Sequence, residues 1–106
     1  MNLLDALRLW SESNQELMSR VGVLINSGAS PSDGRSKASR WINLRGTGTE
    51  VNLVVWDTGE AELGTVGPDG VLSQEHLELA SAEELNVQLA RLKALVAPPE
   101  PESDQT

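Results

Sequence analysis

The chain reads as an α+β domain: a four-stranded antiparallel meander sheet with an N-terminal and a C-terminal helix packed on one face, in the order α-β-β-β-β-α. Three observations predict this. Between Ala38 and Leu79, apolar side chains recur with a period of two in runs separated by Gly-bearing turns, the pattern of half-buried strands. On either side, Leu3 to Leu24 and Leu85 to Val96 space their apolar residues by threes and fours, the pattern of amphipathic helices. A meander of this size needs cover on one face, and those two helices are the only cover the chain offers.

The first helix is expected from Asn2 to about Asn26, with Leu3, Leu7, Trp10, Leu17, Val21 and Leu24 on its stripe. Asn2 suits the N-cap, and Asp5 sits in the first turn, where a negative charge complements the helix dipole. Such a helix would be about 36 Å long at 1.5 Å per residue, longer than the sheet beneath it. Gly22 and the polar run Ser11 to Gln15 mark where it would bend or overhang. Residues 26–37, rich in Ser and Gly with one Pro, read as a flexible loop. Their lack of a G-K-[ST] ending and of a preceding strand argues against a phosphate-cradling role.

The first strand spans Ala38 to Arg45, and Gly46 to Thr49 turn the chain so that Leu44 faces Val51 and Ile42 faces Leu53. Val51 to Trp56 alternates cleanly, and Asp57-Thr58-Gly59 reads as a three-residue loop with Gly59 in the left-handed conformation. That loop sets Val55 opposite Ala61, Leu53 opposite Leu63 and Trp56 opposite Glu60, whereas a two-residue loop would set Val55 against Glu62. Gly67-Pro68-Asp69-Gly70 is the next turn. Val71 to Leu79 forms the last strand, and the change of apolar parity between Leu72 and Leu77 calls for a bulge or bend. Ser81 to Glu84 is a capping box for the closing helix, whose stripe is Leu85, Leu89, Leu92 and Val96. The predicted sheet core is Ile42, Leu44, Val51, Leu53, Val55, Ala61, Leu63, Leu77 and Leu79. The whole is one domain over 1–97, with 98–106 a disordered acidic tail.

The chain carries 16 acidic against 8 basic residues, a net charge of −8, and between Arg45 and Arg91 there is no Lys or Arg. Nucleic acid and anionic membrane are therefore disfavoured as partners, and a basic protein face is favoured. With no Cys and a single His, neither a disulfide framework nor a cysteine-rich metal site is available, and no metal or cofactor is expected. No apolar run approaches the ~20 residues of a membrane span, and no signal-like N-terminus is present, so the expected compartment is the cytoplasm. Glu60 and Glu62 project to one side of a strand, but no nucleophile context accompanies them or His76, so no catalytic residue is assigned and the chain is expected not to be an enzyme.

The sheet face turned away from the helices is the candidate site. It is expected to display Trp41, Asn43, Asn52, Val54, Trp56, Glu60 and Glu62, with His76 and Glu78 nearby. Trp is the residue type most enriched at binding hot spots, and an apolar centre ringed by acids is how a specific protein interface is built. The same exposed face would let free chains pair as a homodimer.

W-I-N-L at Trp41–Leu44, V-V-W-D-T-G-E-A-E-L at Val54–Leu63 and E-H-L-E-L at Glu75–Leu79, followed by a Leu-rich helix, together resemble the TriTu-type immunity proteins. The resemblance covers roughly Ala38 to Val96, with Thr58 standing where the pattern carries Ser. It implies a small bacterial antidote, active in interbacterial competition, that neutralises an ADP-ribosyltransferase toxin modifying elongation factor Tu. On that expectation the partner is a cognate toxin with a basic face, inhibited by occlusion of its active site. The alternative is an acidic adaptor or secretion-type chaperone that binds a basic protein segment.

Overall fold

The computed structural model describes residues 2–30, 37–46 and 48–96. Helix α1 runs Leu3–Arg20, and the Asn2 side chain caps it by accepting from the Asp5 amide at 2.8 Å. It ends earlier than its apolar spacing suggests. Val23 N donates to Met18 O at 2.9 Å and Gly22 N to Ser19 O at 3.1 Å, the paired bonds of a Schellman motif. Gly22 takes φ 84° to close it, and the flanking Met18 and Val23 are both buried, which supplies the hydrophobic contact of such an ending. At 18 residues the helix is about 27 Å long, close to the span of the strands it covers.

The chain reverses at Gly22 into a strand where a helix and loop were expected. Among the described residues the sheet therefore has five strands: β1 Leu24–Ser30, β2 Ser39–Arg45, β3 Glu50–Trp56, β4 Glu60–Val66 and β5 Leu72–Glu78, antiparallel in the order β1-β2-β3-β4-β5. β1 pairs along its whole length with β2, from Leu24 opposite Arg45 to Ser30 opposite Ser39. Its composition is that of a loop because it is an edge strand. Only Ile25 and Gly28 are half-buried, so few of its side chains carry a core signal. The flexible loop expected over 26–37 is thus corrected at its start, since 26–30 lie in β1. Its centre, 31–36, and the expected tail at 98–106 lie outside the described residues.

The inner registers are as expected. Leu44 faces Val51 and Ile42 faces Leu53 across the first turn, while Val55 faces Ala61 and Leu53 faces Leu63 across the second. Gly59 takes φ 97° in the three-residue loop, leaving Trp56 and Glu60 to flank it. The expected bulge in the last strand is absent: β5 pairs without interruption from Leu72 opposite Val66 to Glu78 opposite Glu60. The parity conflict resolves because β5 is also an edge. Val71 and Leu72 stay exposed, Leu77 is half-buried, and Leu79 is buried just past the strand's end. The helix-side position of Glu75 is polar and is held by Arg91 of the second helix at 3.0 Å.

That helix, α2, runs Ala82–Val96. Ser81 Oγ accepts from Glu84 N at 3.2 Å, and Glu84 Oε1 accepts from Ala80 N at 2.8 Å, one residue further back than the usual reciprocal bond. Leu85, Leu89, Leu92 and Val96 are buried against Ile42, Leu44, Val51, Leu53, Val55 and Ala61, together with Leu7 and Met18 of α1. α1 lies over β1, β2 and β3, and α2 packs beside it, with Lys93 donating to Asn14 at 3.4 Å. Both helices thus cover one face of the sheet. Among the described residues no helix is long and apolar enough to cross a membrane.

Candidate protein-binding face

Alternation along the strands sends one set of side chains to the helices and the other to the opposite face. The registers arrange that other set in rows. The central row is Gly28, Trp41, Val54, Glu62 and His76 across the five strands. The next row is Asn26, Asn43, Asn52, Gly64 and Gln74. On the other side of the centre, Ser39 faces Trp56 and Glu60 faces Glu78. All nine residues expected at the site, Trp41, Asn43, Asn52, Val54, Trp56, Glu60, Glu62, His76 and Glu78, therefore lie on this one face.

Trp41 is the more exposed of the two tryptophans on this face, at 38 %. Its indole rests against β1 at Gly28, where an added Cβ would come within 2.6 Å of Cζ2 and 2.8 Å of Nε1. Gly28 is what permits the ring to lie along the sheet with its other side towards solvent. Trp56 and Val54 are half-buried beside it. Asn43 Nδ2 donates to Asn52 Oδ1 at 2.7 Å and to Glu50 Oε2 at 2.8 Å, which orients the amide pair next to the aromatic strip.

The carboxylates are less free than the sequence suggests. Glu60 pairs with Lys37 and Glu62 with His76 Nδ1, while His76 Nε2 lies 3.6 Å from Glu78 and Arg45 lies 3.6 Å from Glu50. The Lys37 hydrogen bond and charge hold the Glu60 carboxyl below its ordinary range. The hydrogen bond that His76 donates to Glu62 raises its pKa above the ordinary value, opposed by desolvation and helped by the charges of Glu62 and Glu78. Among the described residues, four acids on this face are set against two fixed cations, Lys37 and Arg45, and a histidine whose pKa is raised by its acidic neighbours. The face is mildly acidic, and its charges are exposed enough to exchange partners: the side chains of Glu60, Glu62 and Glu78 are 43 %, 51 % and 82 % exposed.

Sequence reasoning missed Gly28 and Lys37. A lone Gly within a strand signals close approach by a neighbour, but that signal needs the strand to be recognised first. Nothing in the local sequence marks Lys37 as a partner of Glu60, 23 residues away. Among the described residues no group of three or more His, Asp or Glu is placed to hold a metal ion. Compared with models of known families, with curated proteins and with solved structures, the chain matches none. What this face offers chemically is a flat indole and a half-buried apolar strip, bordered by oriented amides and exchangeable carboxylates. Such a surface suits recognition of a protein.

Proposed function

We propose that the chain is a stoichiometric protein inhibitor: an immunity protein that binds a bacterial ADP-ribosyltransferase toxin in the cytoplasm and occludes its active site with the bare sheet face. The observation that carries this reading is the placement of Trp41, Val54 and Trp56 together on the face that neither helix covers. Indole side chains on an uncovered sheet are costly to leave in water and are the residue type that dominates binding energy at protein interfaces. The resemblance of Trp56–Leu63 and its flanking strands to the TriTu-type immunity proteins supplies the toxin class. The exposed carboxylates support it, since a transferase holds the pyrophosphate of its dinucleotide with cations that Glu62 and Glu78 could pair with instead. Glu60, Glu62 and His76 are well solvated and already have partners, which fits a surface that works by contact.

The test is direct. The purified chain is titrated into an assay of elongation factor Tu modification by an ADP-ribosyltransferase toxin domain of the proposed class, taken from a neighbouring gene where one encodes it. Loss of ADP-ribosylation at one equivalent is expected, and undiminished modification at excess would reject the proposal.

A further inference from the structure

β1 is an edge strand of the sheet, with β2 on one side and no strand on the other among the described residues. Natural edges are usually guarded by charge, Pro or a bulge. β5, the other edge, carries Glu75, His76 and Glu78, whereas the seven residues of β1, L-I-N-S-G-A-S, contain no charge and no Pro and pair with β2 without a bulge. Along the helical side of this edge runs a groove of 430 Å³ between α1 and β1. Its apolar lining on the helical side is Val23 and Ile25, and its rim is Glu12, Gln15 and Glu16. The far flank of α1 is closed by α2 through Asn14 and Lys93, so this groove faces outward. Among the described residues, Glu12 and Glu16 are held by exposed pairs with Arg8 at 3.3 Å and Arg20 at 3.0 Å, and pairs of that kind are weak and readily exchanged.

We propose that β1 and this groove form a second binding site, for an extended basic segment of a partner protein added as a sixth strand. The free backbone groups of β1 supply the ladder. Alternate side chains of the segment then point to the helical side, where a Lys or Arg stem covers Ile25 beside Val23 and its charged end meets Glu12 and Glu16. The whole-chain charge of −8 favours a cationic occupant over a second copy of this acidic chain. The site lies apart from the bare face, and its test needs no toxin, so the two proposals stand or fall separately.

The probe is a fluorescent peptide of about ten residues alternating Lys with Thr, measured by anisotropy against the full chain. Saturable binding is expected, lost when Glu replaces Lys and lost when alternate backbone amides of the peptide are N-methylated. The double variant Glu12→Lys/Glu16→Lys, with helicity checked by circular dichroism, is expected to bind about tenfold or more weakly. Absence of binding to the unmodified peptide would overturn the proposal. Equal binding of the N-methylated peptide would overturn it too, because the ladder would then be unused. So would a dimer in sedimentation velocity that the peptide fails to dissociate, since a second copy would then hold the edge.

Discussion

Replacing Gly28 by Ala tests how the bare face is assembled. The added Cβ would sit 2.6 Å from the Trp41 ring, too close for any real contact, so the indole must move away from β1. A Trp side chain buries on the order of 150 Å² or more. If the contact with β1 is about a third of that, then at about 25 cal/mol per Å² its loss costs about 1 kcal/mol. Against this, Ala in place of Gly within a strand stabilises by about 0.5–1 kcal/mol. The two effects nearly cancel, so the melting temperature is expected to change little, and stability is the wrong readout. Position and binding are the right ones. With 5-fluorotryptophan incorporated, three ¹⁹F resonances report Trp10, Trp41 and Trp56; that of Trp41 is expected to shift and become more accessible to a soluble quencher, the other two hardly at all. If the chain acts as the proposed toxin inhibitor, its affinity for that toxin domain is expected to fall about tenfold, equivalent to about 1.4 kcal/mol. An unchanged Trp41 resonance would refute the claim that the absent Cβ seats the ring. A shifted resonance with unchanged affinity would remove Trp41 from the interface.

On the proposed function, Trp56→Ala is expected to weaken binding of the toxin by about 2 kcal/mol or more, measured by calorimetry, while leaving the far-ultraviolet dichroism intact; unfolding would instead make Trp56 a core residue. Gly22→Ala meets no atom within 4 Å, so its cost is the left-handed backbone alone, about 1–2 kcal/mol, or about 4–8 °C of melting temperature per kcal/mol by scanning calorimetry. His76 should titrate above its ordinary 6.5 by NMR, and Glu62→Gln should bring it down. Because the folded-state value is raised, the stabilisation it contributes is fully present below 6.5 and disappears as pH rises through the folded value. Ser81→Ala removes the hydroxyl that accepts from Glu84 N and is expected to cost about 1 kcal/mol in urea unfolding, with the Glu84 to Ala80 bond remaining.

Where neighbours in the chain are also neighbours in space, the amino-acid order was legible. The registers of β2, β3 and β4 follow from loop length and alternation, because a shift of one residue would turn Ile42, Leu53 and Ala61 out to solvent. The Asn2 cap, the Ser81 cap and the stripe Leu85 to Val96 are likewise local chemistry, and alternation alone placed Trp41 and Trp56 on the face away from the helices. The end of α1 was present in the sequence as Gly22 followed by Val23, but the threefold and fourfold spacing of Val21 and Leu24 obscured it.

Tertiary structure decided the two edges and the charges. β1 is a strand because β2 has unpaired amides and carbonyls beside it; N-S-G-A-S has little strand preference of its own, and the free energy comes from completing a ladder that other residues built. β5 stays regular although its apolar residues change parity, because Arg91, arriving on a helix, meets Glu75 where an inner strand would need an apolar side chain. Lys37 reaches Glu60, and His76 lies between Glu62 and Glu78, only once the strands are in register. Alternation says which way a side chain points, but its partners depend on which strands stand next to its own, and that is settled only when the whole sheet closes over its core.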